Sequence, residues 1–361
     1  MLTTTKKLLL LVLTGANAFS VALMILCGWA SCLSPESLKI AEPFTLTFPA
    51  YFIVNLFFIV FWLIFKPRYV LISGAGLLLS VSAVRTYCPI NFPNPHPKGC
   101  IKVTSYNTLS FQSYNAPSDG TFDQTIIDYV AHSDADIMCI QEGGYDGGSK
   151  KGKIIESKLR TWPYRDSVRV GKTNTIVLCS RFPILKRELI VTGFHEHGSA
   201  AYTLLVNRDT VIVINNHFVS NAMDNKDKDK YKKLVKEPIN SNTNNNLKYL
   251  FRKVANASIH RAVQAEIVSQ YIKNHKKTPI ILCGDFNDSP LSYVHHRLTA
   301  ELNDAYTASG NGPGISYHES GMYFRLDNIL CSRHWKAYDA KVEREHGASD
   351  HYPISCYLKM K

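Results

Sequence analysis

Three apolar runs, residues 8–30, 46–65 and 69–84, fill the first quarter of the chain and decide how the remainder can be arranged. A helix crossing the hydrocarbon layer takes about 20 apolar residues, so the first two runs qualify. The third falls short unless Arg85 snorkels and Tyr87 sits at the headgroup level. A cleaved signal peptide would account for the first run alone. Two more follow it without a small-residue cleavage site, so the expectation is a retained membrane domain over residues 1–87 with about three transmembrane helices. Lys6 and Lys7 precede the first run, and Lys66 and Arg68 fill the link between the second and third. Lys39 in the other link stands against Glu36 and Glu42. Positive-inside counting puts the N-terminus and the Lys66 link in the cytoplasm. Three crossings then leave everything after residue 84 outside it, on the periplasmic side of the inner membrane in a bacterium.

Only 19% of the residues are charged, and the apolar runs explain that deficit. The net charge is +12. Residues 1–99 carry seven basic and two acidic side chains (+5), which leaves 34 minus 27, or +7, for the rest. Much of that excess lies in 224–236, D-N-K-D-K-D-K-Y-K-K-L-V-K, which reads as a solvated helix face or as a surface for anionic partners. The nine cysteines form no Cys-x-x-Cys pair, which argues against a structural zinc site. Cys139, Cys179, Cys283, Cys331 and Cys356 sit in apolar runs and read as small buried hydrophobes. Cys88 and Cys100 flank a Pro-rich stretch outside the expected membrane, where a disulfide is open to them.

That stretch, with four prolines between residues 89 and 97, reads as a stiff linker over 88–99. Beyond it, 100–361 alternates short apolar runs with amphipathic stretches and fits one α/β layered domain. Strands are expected at 101–106, 137–140, 175–179, 201–206, 211–215, 279–283, 326–331 and 354–358, and helices at 121–132 and 256–274. The Asn-rich interval 240–246 reads as a surface loop.

Chemistry gathers where those strands end. The run Pro279-Ile-Ile-Leu-Cys stops at Gly284 and delivers Asp285 and Asn287, two residues apart and so side by side on an extended chain. A carboxylate beside a carboxamide suits positioning a water or holding a hard cation; Gly, Asp and Asn also mark ordinary turns. Other strands run into Asn107, into Gln141-Glu142, into Asn215-Asn216-His217, and from Asp327-Asn328 into an apolar run; Ser349-Asp350-His351 precedes the last strand. Each alone suits a hydrogen-bonded strand end. Together they offer carboxylates for a hard metal, amides for orientation and histidines for proton transfer.

This series resembles the endonuclease/exonuclease/phosphatase superfamily, the DNase I-like group that includes abasic-site endonucleases, neutral sphingomyelinases and inositol polyphosphate 5-phosphatases. The most specific elements are G-D-F-N at 284–287 and S-D-H at 349–351, and the likeness covers 100–361. It implies a four-layer α/β sandwich of two packed β-sheets flanked by helices. It also implies a Mg2+ ion, with Mn2+ as a substitute, held by Glu142 with Asn107 and Asp350. Asp285 would orient or deprotonate the attacking water, with Asn287 holding its geometry. His351, oriented by Asp327, would contact the phosphate or move a proton, and His217 would neutralise developing charge. Arg181, in S-R-F-P-I, would support the site. Gly143-Gly144 replaces the Thr-Lys of the abasic-site enzymes, Asn328 replaces a common tyrosine, and the extra 5-phosphatase residues are missing. DNA repair is thereby disfavoured. A phosphate ester of nucleic acid, of a phospholipid headgroup or of a small diester stays open as substrate, with a non-catalytic membrane-bound binding module as the remote alternative. The Lys-rich insertion 221–253 is expected to border the substrate groove, and Arg261 with Gln264 to anchor the His217 strand.

Overall fold

The computed structural model describes residues 2–114, 122–144, 150–236 and 241–361. The apolar runs form α1 (Leu2–Ala30), α2 (Ala41–Thr45), α3 (Phe48–Phe65), α4 (Val70–Leu79) and α5 (Val81–Tyr87). Thr4–Ala30 and Ala41–Phe65 are each long and apolar enough to cross a membrane, whereas Pro67–Leu79 and Val81–Tyr87 are bent from one another by 70°. The third segment is therefore two helices meeting at a sharp bend, a broken span or a re-entrant loop, rather than one continuous helix. The break falls at Ser80, whose φ of −101° and ψ of 13° leave the helical range.

Bent as it is, the third segment returns the full height of α3. Tyr69 lies 5.1 Å from Trp62 near one end, and Tyr87 lies 5.7 Å from Phe48 at the other (ring centroids). A polar network ties all three segments together. Asn17 of α1 donates to Ser73 of α4 (2.7 Å) and accepts from Trp62 Nε1 of α3 (2.9 Å), while Asn55 of α3 donates to Ser20 of α1 (3.1 Å). Buried amides in an apolar bundle are costly unless partnered, so this network favours one register of the helices. Gly76 lets α4 approach α1, for a Cβ there would stand 2.6 Å from Val21.

The soluble part is built from β1 (Ile101–Asn107), α6 (Gln124–His132), β2 (Ile137–Gln141), α7 (Lys150–Lys158), β3 (Tyr164–Arg169), β4 (Thr175–Ser180), β5 (Ile184–Phe194), β6 (His197–Val206) and β7 (Asp209–His217). Then come α8 (Asn225–Lys236), α9 (Ser241–Asn274), β8 (Ile280–Asp285), α10 (Tyr293–Thr299), β9 (Asn303–Asp304), α11 (Ala305–Ser309), β10 (Asp327–Cys331), β11 (Trp335–Val342) and β12 (Ile354–Met360). The strands form two six-stranded sheets, ordered β11-β12-β1-β2-β4-β3 and β5-β6-β7-β8-β10-β9. Between the sheets lie Val103, Cys139 and Leu178 from one and Tyr202, Val213 and Ile281 from the other. Met138 and Ile140 face outward onto α6 and α7, and Leu282 faces Ala265 and Val268 of α9. The result is a four-layer α/β sandwich. Because the central strands are buried on both faces, they read as continuous apolar runs.

Every expected strand is present to within a few residues, and β3, β5, β9 and β11 are additional. One expectation fails: residues 241–246 form the first turns of α9, not a loop, and Asn240 lies outside the described residues. The disulfide left open between Cys88 and Cys100 is not formed, for both are free. The Pro-rich stretch between them is held out on the surface, by Asn91 Nδ2 on Gly310 O (2.6 Å) and by His96 stacked on Tyr357 (3.6 Å). Thr121, the expected start of α6, lies outside the described residues.

Candidate active site

Strand register assembles the site. β1 and β2 run parallel with Asn107 opposite Gln141, so Glu142 leaves the sheet beside Asn107. β7 and β8 run parallel with His217 opposite Asp285, and β10 runs antiparallel to β8 with Asp327 opposite Asp285. Gln141 Nε2 donates to Asn215 Oδ1 across the two sheets (2.7 Å), so both sets of strand ends meet at one edge. The glycine of G-D-F-N is required there. Gly284 has φ +144°, and a Cβ on it would lie 2.0 Å from Asn216 O. Glu142 and Asn287 both adopt φ of 51°, a left-handed conformation uncommon for side-chain-bearing residues and frequent at functional positions.

Asp285 is the hub. Its Oδ1 accepts from Asn287 N (2.7 Å), and its Oδ2 accepts from Asn287 Nδ2 and Asn107 Nδ2 (3.1 Å each). Its Oδ2 also faces His351 Nε2 at 3.7 Å and His217 Nε2 at 3.9 Å. Asn107 Nδ2 reaches Glu142 as well (3.3 Å), and the Asn107 carbonyl Oδ1 accepts from Leu109 N (3.2 Å). His351 Nδ1 pairs with Asp327 Oδ2 at 2.7 Å, and Ser316 Oγ accepts from Asp327 N (3.1 Å). Ser349 Oγ donates to Asn107 O (2.8 Å), which ties the S-D-H segment to β1.

The two histidines are driven apart. Burial pulls the His351 imidazole down, but the carboxylates of Asp327 and Asp285 outweigh it and hold the ring well above the usual histidine range. Burial takes His217 down to about 4, with Asp285 opposing and the charge of His351 adding to the fall. One ring is thus held toward its charged form and the other toward its neutral form, the divergence expected when a site needs two roles from one residue type. Asn174 settles the tautomer of the neutral one. Its Nδ2 donates to Glu196 O (2.9 Å) and lies 3.0 Å from His217 Nδ1, so Nδ1 accepts and Nε2 carries the proton. His217 Nε2 is buried, has no hydrogen-bond partner among the described residues, and faces Glu142 Oε1 at 3.6 Å.

Asp285, Asp327 and His351 place ligand atoms within 4.8 Å of one another, a cluster able to hold a divalent cation. That trio differs from the Asn107, Glu142 and Asp350 implied by the resemblance, and its His351–Asp327 bond already occupies two of the ligand atoms. Glu142 and Asp350 line the cleft together with Asp285. Confinement pushes Asp350 up to about 6, against the pull of His351 and with Glu142 adding to the rise. Confinement likewise raises Glu142, with the Asn107 hydrogen bond and His351 opposing it and Asp285 adding to it. Two crowded carboxylates with hard oxygen donors fit a divalent cation, which would relieve their repulsion. Asn107 offers its NH2 to both Glu142 and Asp285, so its amide would have to turn over to serve as a ligand.

Arg181 stays out of the cluster. It braces the opposite end of β2, donating to Ala135 O (2.9 Å) and Ser133 O (3.0 Å). Arg261, fully buried, donates to Asp288 (2.8 Å) and Val219 O (3.0 Å), while Gln264 Oε1 accepts from Val219 N (2.9 Å). Both thus anchor the segment leaving the His217 strand. Asn174, Ser316 and Glu196 are the site-supporting residues that the sequence reading does not single out.

The model of the Endonuclease/Exonuclease/phosphatase family matches residues 104–351, and the chain belongs to that family. A second model, Domain of unknown function (DUF8431), matches residues 6–87. No curated protein matches the chain. The endonuclease/exonuclease/phosphatase from Beutenbergia cavernae shares 15% identity with it, covering 72% of each chain with a TM-score of 0.51. One from Bacteroides vulgatus shares 14% identity, covering 73% of this chain and 100% of its own (TM-score 0.49). Beta toxin from Staphylococcus aureus shares 18%, covering 72% and 100% (TM-score 0.48). Family membership and the buried Asp, Glu and His cluster together define a metal-dependent hydrolase acting on phosphoesters.

Proposed function

We propose that this protein is a membrane-anchored, Mg2+-dependent phosphoesterase, with Mn2+ able to substitute, whose catalytic part works outside the cytoplasm. Residues 1–87 are its membrane part, 88–99 the link and 100–361 the catalytic part. The observation that carries this reading is the pairing of a hub carboxylate, Asp285, with one charged and one neutral histidine beside the crowded Glu142 and Asp350. A divalent cation held by Glu142, Asp350 and Asn107 would polarise the phosphoryl group and stabilise the leaving oxygen.

The protein's own groups do the rest. Asp285, fixed through both oxygens by Asn287, holds the attacking water and takes its proton as the new P–O bond forms. His217 donates its Nε2 proton in a hydrogen bond to a non-bridging oxygen, where negative charge grows in the transition state. His351, kept charged by Asp327, gives a proton to the leaving oxygen as its bond to phosphorus breaks. The full-length protein in detergent is expected to hydrolyse bis-(p-nitrophenyl) phosphate with Mg2+ or Mn2+ and to stop when EDTA removes the metal. Asp285→Asn is expected to lower kcat by about 10²–10⁴-fold, the usual worth of a general base. Equal rates for wild type and Asp285→Asn, or full activity in EDTA, would overturn the reading.

A further inference from the structure

A cavity of about 710 Å3 opens directly from the catalytic cluster, and part of its wall comes from the membrane segments. Glu142, Asp285, Asp350 and His351 form one end of it. Leu46, Pro49 and Ala50, from the second membrane-crossing stretch, line it as well. The insertion expected to border the groove lines it too, but with its apolar face: Tyr231 and Leu234 of α8, and Leu247 and Leu250 of α9. Three of its lysines are held in ion pairs: Lys253 and Lys230 with the buried Asp227, and Lys228, which lines the cavity, with Glu319.

The membrane part is docked, not merely tethered, at this place. Leu291, just past the G-D-F-N segment, packs with Met24, Cys27 and Phe48 of the bundle. Glu42 accepts from Tyr293 N (3.2 Å), and Arg325 donates to Thr86 O. A volume of this size falls within the range of ligand sites, and apolar walls with polar groups at one end suit an amphiphile.

We propose that this cavity seats the apolar tail of a lipid phosphoester drawn from the membrane face, with its phosphate at the Glu142–Asp285–His351 end. This inference rests on the phosphoesterase reading and specifies its substrate class. Nucleic acid is the competing substrate, because Tyr231, Phe251, Tyr317 and Tyr323 also line the cavity, and it forms one arm of the test.

The test uses full-length protein in amphipol, so that no free detergent occupies the groove, and a series of p-nitrophenyl alkyl phosphates from methyl to octyl. Burying each methylene favours the complex about threefold or more in the limit of full transfer from water. The expected result is a kcat/KM at least roughly tenfold higher for octyl than for methyl, a conservative fraction of that limit. Leu46→Trp, which fills the groove at its membrane wall, is expected to cut the octyl-to-methyl ratio by at least about fivefold. Should that variant not fold, Leu247→Trp on the opposite wall gives the same readout. A flat tail-length series, an unmoved ratio in a folded variant, or faster cleavage of plasmid DNA than of the octyl ester would overturn the inference. Loss of all hydrolysis with Mg2+ or Mn2+ would instead overturn the phosphoesterase reading. The two failures are therefore distinct.

Discussion

At the scale of single residues, His217 and His351 differ less in burial than in what faces them. His351 has a carboxylate on each ring nitrogen, Asp327 on Nδ1 and Asp285 on Nε2. His217 has the amide of Asn174 on Nδ1, and that amide is itself fixed by Glu196 O. Asn174 is therefore a positioning residue, and its effect runs through the tautomer. Asn174→Ala is expected to lower kcat about 10-fold with a smaller change in KM, within the range for groups that orient a functional histidine. Asn174→Asp is expected to do worse, since its carboxylate accepts a proton from Nδ1 and turns the Nε2 lone pair toward Glu142 and Asp285. Nitrogen-15 NMR of the His217 ring should report Nε2–H in the wild type and Nδ1–H in Asn174→Asp; an unchanged tautomer would contradict the assignment. Asp285 and Glu142 stand out in the sequence because they close apolar runs, Asn287 because it lies two residues from Asp285, Asp327 because it opens a run, and His351 because of the S-D-H segment before the last strand. Asn174 sits in the turn G-K-T-N before β4, where an asparagine looks like any other turn residue.

At the scale of elements, the sequence discloses strands in proportion to their burial. β1, β2, β4 and β8 are buried along their whole length, and all four were expected. β3, β5 and β11 are half-exposed toward sheet edges and carry charged residues, so no apolar run marks them. The opening of α9 was hidden for another reason: its Asn-rich start carries turn propensity, while Leu250 and Val254 a few residues later bury themselves and override it. One link between elements has a pH signature. Glu196, in the β5–β6 turn of one sheet, accepts from the backbone of Lys172 (3.0 Å), Thr173 and Asn174 (2.8 Å each) in the β3–β4 turn of the other. The Thr173 and Asn174 amides lead in holding its carboxyl down at about 2. A depressed folded-state value means the link contributes stability above the unfolded value of about 4.3 and loses it as pH falls toward 2. The wild type is therefore expected to lose thermal stability more steeply than Glu196→Gln between pH 5 and pH 3. Parallel losses in thermal melts of the two proteins would show that the carboxylate carries no such link.

At the scale of the whole molecule, the number of crossings fixes the side on which the chemistry occurs. Two crossings would return the catalytic part to the side of the N-terminus; three place it opposite. The proposed orientation is supported by the pairing of Tyr87 with Phe48 at one end of the bundle and of Tyr69 with Trp62 near the other, which makes the bent α4–α5 pair a full return. The polar network of Asn17, Asn55, Trp62 and Ser73 binds that pair to α1 and α3, a feature the apolar runs concealed because single amides barely disturb their hydropathy. Lys6, Lys7, Lys66 and Arg68 then share the face away from the active site, the face that the proposed orientation, following positive-inside bias, makes cytoplasmic. Cys32 provides a built-in reporter. It is exposed in the link after α1, on the same face as the catalytic part. With Cys88 and Cys100 replaced by serine, a membrane-impermeant maleimide added to right-side-out cells is expected to label Cys32. It should leave Lys66→Cys unlabelled, in a background where Cys32, Cys88 and Cys100 are all serine, until the membrane is opened. Labelling of Lys66→Cys in closed cells, with Cys32 protected, would reverse the orientation and move the lipid phosphoester supply to the cytoplasmic leaflet.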